Sequence, residues 1–124
     1  VLGLTFKPET DDMREAASIS ILDMLDKGGA HIRAFDPAGM TTARPVLPQS
    51  VAYCTDALDA AKGADILVVL TEWNEFRSLA PEKLAREMKG RKIADLRNIW
   101  DPRTMKDAGF KYISLGRPDA VQPR

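Results

Sequence analysis

The stretch DILVVLT runs from Asp65 to Thr71. Its five consecutive apolar residues, Ile66 to Leu70, include two valines and sit between an acid and a threonine. That pattern suits a central strand of a parallel sheet, buried on both faces. On both sides of it, helix and strand signals alternate. Downstream, Pro81 stands at the first position of a helix carrying Leu84 and Met88 and ending at Gly90. A strand over 92–96 follows, then a helix opened by Asp101 and Pro102 and ended by Gly109, then an edge strand over 111–115. Upstream, Val51–Cys54 reads as a short strand, followed by a helix from a Thr55 cap to Lys62, which Gly63 ends. The segment 38–50 holds Pro45 and Pro48 without a period and reads as loop. His31–Asp36 is a strand closed by Asp36-Pro37. Before it, Ala17, Ile21, Met24 and Leu25 fall at helical spacing, with Leu22 widening the stripe and Gly28-Gly29 as a stop. Asp12, with Glu15 three residues on, reads as the cap of that helix. Val1–Thr5 is a buried strand. The alternation predicts an α/β fold: an open, mainly parallel sheet with helices on both faces.

Bulk properties narrow the function. The 124 residues suit one domain, expected over 1–117, with 118–124 as a tail. Lys plus Arg number 18, as do Asp plus Glu, so a nucleic acid or an anionic membrane is not the expected partner. No apolar run reaches the length of a membrane span. The single cysteine, Cys54, forms no internal disulfide and fits a cytoplasmic location. Val1 opens inside an apolar segment with no initiator Met, so the chain is expected to be a domain of a longer protein.

Ligands of open α/β sheets bind beyond the carboxyl ends of the strands. Two loops there carry cations: Lys7 with Arg14, and Arg97. A guanidinium holds two phosphate oxygens in a fork, and a lysine adds a compact charge. Arg14 is expected in the first turn of a helix, where backbone N–H groups also favour an anion. The three cations suggest an anion site; pairing with surface carboxylates is the alternative. Asp11 and Asp12 read as helix-start compensation rather than a metal pair, and no metal is expected. Cys54 has no base nearby in sequence and reads as a small buried hydrophobe. Asp36 stands where dinucleotide folds keep a ribose-binding acid, yet the first turn, FKPETDDMR, has no glycine. A complete dinucleotide site is therefore not expected, and Asp36 is read as shaping the turn before Pro37. Trp73 and Phe76 suit either a ligand stack, a domain interface or a local plug.

The segments GLTFKPETDDMRE, AFDP, VVLTEWNEFR, IADLRNIWDP and GFKYISLGR, in that order, resemble the carboxyl-terminal, Rossmann-like domain of the UDP-glucose/GDP-mannose dehydrogenase family. The resemblance covers Val1 to about Arg117. It implies an enzyme that oxidises the C6 alcohol of a nucleotide sugar to the carboxylate in two steps with two NAD. In such enzymes an amino-terminal NAD-binding domain and a dimerising helix precede this domain, and the catalytic cysteine and lysine lie upstream too. The resemblance thus implies no turnover by this chain alone and a homo-oligomeric parent. Position by position, it assigns Phe6, Lys7 and Arg97 to the nucleotide-sugar substrate and Arg14 to NAD. The Met13 and Pro8 positions resemble the UDP-glucose branch. A stand-alone nucleotide-binding or receiver-like module is the competing reading. A receiver, however, needs acids after its first strand, where Phe6 and Lys7 stand. A domain kept only for assembly is the third.

Overall fold

The computed structural model describes residues 1–115. The expected tail over 118–124 and the 117 boundary lie outside them. The elements in chain order are α1 (Ala17–Lys27), β1 (Arg33–Ala34), α2 (Met40–Ala43), β2 (Ala52–Tyr53), α3 (Ala57–Ala61) and β3 (Ile66–Val69). They continue with α4 (Asn74–Arg77), α5 (Pro81–Glu87), β4 (Lys92–Asp95), α6 (Pro102–Asp107) and β5 (Lys111–Ser114).

β1 pairs with β2, and β3, β4 and β5 pair in that order, all parallel. The amino-terminal segment joins the two groups. Leu2 bridges in parallel to Phe35 on one side and to Val69 on the other. Its N–H donates to the Val68 carbonyl at 2.8 Å, its own carbonyl accepts from Leu70 N–H at 2.9 Å, and Gly3 N–H donates to Phe35 O at 2.9 Å. The order across the sheet is therefore β2, β1, the amino-terminal segment, β3, β4, β5. The open parallel α/β architecture read from the alternation is what forms.

Two apolar clusters lie on opposite faces. Leu67, Val69, Ile93 and Tyr112 pack with α3, α5 and α6, while Ala34, Leu70 and the partly buried Val68 pack with α1 and α2. Each fully buried leucine side chain, such as Leu2, Leu4 and Leu22, contributes about 1.5–3 kcal/mol of burial. Gly3 sits at φ +89, and a Cβ there would lie 2.5 Å from Thr71 Cβ, so the centre of the sheet has room for no side chain.

Several local expectations are corrected. α1 begins at Ala17, with Ala16 at the N-cap and no side-chain cap. Asp12 therefore does not cap it, and Glu15 is held at φ 58, outside a helix. The buried face of α1 is Ser18 and Leu22, whereas Met24 is exposed. Ser18 turns inward because its hydroxyl donates to Leu4 O at 2.6 Å, satisfying a carbonyl where the chain leaves the sheet. The 38–50 segment contains α2, one short turn on Gly39. α3 is capped by Asp56, whose carboxylate accepts from Asp59 N–H at 2.7 Å; Thr55 instead donates to the Asp59 carboxylate. β3 is not buried on both faces along its length: Ile66 is about half exposed, because only the carboxyl half of that face lies against the α1 cluster. The proline at the start of α5, the Asp101 cap of α6 and the edge position of β5 are as expected.

Candidate functional site

Among the described residues all strands run parallel, so their carboxyl ends share one edge, and the loops that leave it include Thr5–Ala16, the turn at Asp36, Thr71–Trp73 and Leu96–Trp100. Two buried aspartates fix these loops. Asp36 is fully buried. One of its oxygens accepts from Leu4 N–H at 2.7 Å, Thr5 N–H at 3.1 Å, the Thr5 hydroxyl at 3.2 Å and Trp73 Nε1 at 3.3 Å. The other accepts from Ala38 N–H and Gly39 N–H at 2.9 and 2.7 Å. Asp36 thus shapes the turn before Pro37 and also ties down the start of the Phe6–Lys7 loop. Its oxygens are consumed inside the protein and do not face a ribose. Asp95, also fully buried, closes β4. It accepts from Arg97 N–H at 3.1 Å, Ile99 N–H at 2.9 Å, Trp100 N–H at 3.1 Å and the Tyr112 hydroxyl at 2.5 Å. Thr71 links the central loops by donating its hydroxyl to Thr5 O at 2.7 Å.

On this frame the expected site residues reach outward. Phe6 is 45% exposed, large for an aromatic ring, with its N–H donating to Asp12 O at 2.8 Å. Lys7 is exposed on the same loop. Arg14 is exposed three residues before α1, so no helix terminus assists it. Instead it forks onto Asp12: Nε donates to Oδ1 at 3.0 Å and Nη2 to Oδ2 at 2.9 Å, while Arg14 N–H donates to Oδ1 at 2.9 Å. The Arg14 side-chain bonds, followed by its backbone N–H and with Lys7 as a minor contributor, hold the Asp12 carboxyl down at about 2. Arg97 reaches Glu72 across the edge, Nε at 3.3 Å and Nη2 at 3.0 Å, both to Oε1. Arg14 thus pairs with Asp12, and Arg97 pairs with Glu72, the residue after Thr71, whose hydroxyl is bonded to Thr5 O.

Among the described residues three non-glycines adopt positive φ, Glu9 (63), Glu15 (58) and Asn98 (57), and all lie in the two cation-bearing loops. Strained backbone of this kind persists where surrounding bonds over-determine it. Trp73 and Phe76 are buried: Phe76 packs edge-on against Phe35 at 6.3 Å, and its carbonyl accepts from Trp100 Nε1 at 3.0 Å. Among the readings offered for them, the local plug is what forms. Cys54 is buried, and burial pushes its thiol pKa up, the opposite of an activated nucleophile. The sequence reading missed the partners Glu72 and Asp95. The available signal was an acid next to each strand's last residue or closing it, in VVLTE and KIAD.

An open parallel sheet with helices packed on its faces and its loops gathered at the carboxyl edge is the Rossmann-like type of α/β domain. The comparisons sharpen that class. A family profile described as "UDP-glucose/GDP-mannose dehydrogenase family, UDP binding domain" matches residues 1–102. The chain belongs to that family. It is 45% identical over 119 residues to the UDP-glucose 6-dehydrogenase of Rhizobium meliloti, covering 96% of this chain and 27% of that one. Among solved structures, it is similar to NDP-N-acetyl-D-galactosaminuronic acid dehydrogenase from Methanosarcina mazei (TM-score 0.79, 27% identity, 94% of this chain and 24% of that one). It is similar as well to a UDP-glucose dehydrogenase from Pyrobaculum islandicum (TM-score 0.73, 29% identity, 90% and 23%). The chain spans about a quarter of the length of these relatives.

Proposed function

We propose that this chain is the carboxyl-terminal, UDP-binding domain of an NAD-dependent UDP-glucose 6-dehydrogenase. Its sheet edge is one wall of a cleft shared with an amino-terminal NAD-binding domain of the same polypeptide. The observation that carries the reading is the Leu96–Trp100 turn. Buried Asp95 fixes it by three backbone N–H groups, and Arg97 emerges from it toward the edge. A guanidinium on an over-determined turn is pre-organised for phosphate oxygens. In this reading Arg97 and Lys7 hold the diphosphate of UDP-glucose, and Phe6 supplies an exposed ring against the substrate. Arg14 faces the pyrophosphate of NAD.

NAD, when bound, supplies the hydride acceptor for oxidation of the C6 alcohol to UDP-glucuronate. The residues of this chain fit a supporting contact to it: Arg14 is exposed and charged, whereas the first turn offers no glycine-rich cradle. What the chain does is bind and orient. Its cations offset the negative charge of two diphosphate ligands and keep the sugar end directed at chemistry on the partner domain. The chain alone is expected not to turn over substrate, and the parent enzyme is expected to act in the cytoplasm as a homo-oligomer.

The test is titration of the chain with UDP or UDP-glucose while its melting temperature is followed. A rise in the millimolar range is expected, since half of the cleft is absent, and it should vanish in Arg97→Ala. An equal rise in that variant sinks the assignment of Arg97. In the parent enzyme, Lys7→Ala should raise KM for UDP-glucose, and an unchanged KM counts against Lys7.

A further inference from the structure

Arg97 does not stand free at the edge. The guanidinium offers two forks to an oxyanion, Nε–Nη2 and Nη1–Nη2, and Glu72 Oε1 takes both donors of the first and with them the Nη2 that the second also needs. A ligand phosphate that forks onto Arg97 from either side therefore competes with Glu72 for at least Nη2. Two further observations say which is the guest. The Arg97 turn does not depend on Glu72. Arg97 N–H is held by Asp95, and Asn98, in the left-handed region at φ 57, donates its side-chain amide to Leu115 O at 2.7 Å. Nor is the Glu72 backbone fixed by the ion pair, because Thr71 before it is buried and bonded to Thr5 O. Both ends of the pair are anchored independently, and the side chains between them are 38% and 29% exposed. An exposed pair of this type contributes on the order of 0–1 kcal/mol and exchanges readily.

We propose that Glu72 is a built-in competitor for the phosphate position at Arg97, and that its displacement sets how strongly charged a ligand must be to occupy this edge. This rests on the reading of Arg97 as the diphosphate contact. Without ligand, Glu72 neutralises the guanidinium. A phosphate enters by taking a fork that includes Nη2, and the freed carboxylate then stands close to it as a like charge. A diphosphate, with at least two charges in all, overcomes that opposition better than a singly charged carboxylate does, so the pair favours nucleotide diphosphates over the general pool of organic anions. An uncharged nucleoside needs no exchange and is indifferent to Glu72. The opposite arrangement, in which Glu72 positions Arg97 for its ligand, predicts the opposite sign.

The experiment compares the wild-type chain, Glu72→Gln and Asp23→Asn by calorimetric titration with UDP and with uridine. Asp23 lies on α1, paired with Lys27, and its substitution removes one negative charge away from the edge. Glu72→Gln is expected to tighten UDP roughly 3- to 10-fold, the size of one exposed charge pair plus one relieved repulsion. Uridine binding should be unchanged in it, and Asp23→Asn should match wild type for both ligands. Weaker UDP binding in Glu72→Gln overturns the proposal in favour of positioning. Equal tightening in Asp23→Asn overturns it in favour of net charge. If wild type and Glu72→Gln bind UDP equally, competition alone fails and the Arg97 site stands. If neither binds UDP, the site fails and competition with it.

Discussion

Asp36 and Asp95 lie on the same edge of the sheet as Asp12 and Glu72, yet the two pairs live in different surroundings. The first two are fully buried and accept backbone N–H, hydroxyl and indole donors from several loops. The second two are part-exposed and each meets one arginine. A buried carboxylate is tolerable only when its oxygens are filled with donors, so each such aspartate dictates where those donors, and the loops that carry them, must be. An exposed carboxylate already has water as an alternative, and its arginine is exchangeable. The edge thus separates charges that build loops from charges whose partner water can replace.

That contrast is most exposed to failure at the buried pair. Asp36→Asn and Asp95→Asn keep size and shape but put an NH2 where one oxygen met N–H groups. Each is expected to lose about 2–4 kcal/mol of stability, read as a fall in the urea midpoint at unchanged slope. A midpoint within error of wild type in Asp95→Asn would remove the basis for calling its turn pre-organised. A smaller step follows at Trp73. Trp73→Phe removes only the long, 3.3 Å indole bond to Asp36 and part of a buried ring. It should cost about 1–2 kcal/mol, less than Asp36→Asn. A cost equal to that of Asp36→Asn would mean that the backbone donors of Leu4 and Thr5 matter little. At the exposed pair, Glu72→Gln should move stability by no more than about 0.5 kcal/mol. A larger loss would place Glu72 with the builders.

How much of this was legible in the sequence follows the same division. The apolar run at Ile66–Leu70 and the Gly and Pro punctuation determine the order of elements, because period and backbone chemistry are local properties. Lys7, Arg14 and Arg97 were singled out as cations past strands, a rule of the fold rather than of any one side chain. What could not be read depends on contacts distant in sequence. Ser18 takes a place on the buried face of α1 because Leu4 O, fourteen residues earlier, accepts its hydroxyl. Asp12 is the local exception, since Arg14 only two residues on claims both its oxygens. Glu72 looks like strand-end polarity until Arg97, twenty-five residues later, folds over it.

The smallest expected effect belongs to Asp12. Its carboxyl is depressed from 3.8 to about 2 in the folded chain, by Arg14 first. A depressed acid favours the ionised form in the fold, so its contribution is fully present above the unfolded value. It fades as pH falls through the folded one. The window is therefore pH 3.8 down to about 2. The pair is open to solvent, so the contribution is small and should shrink further with added salt. Melting curves of wild type and Asp12→Asn should differ slightly near neutrality and converge across that window, while the Asp36→Asn deficit stays the larger at neutral pH. If the Asp12 gap is as large as the Asp36 gap and insensitive to salt, Asp12 is a builder, and the division between fixed and exchangeable charge at this edge is wrong.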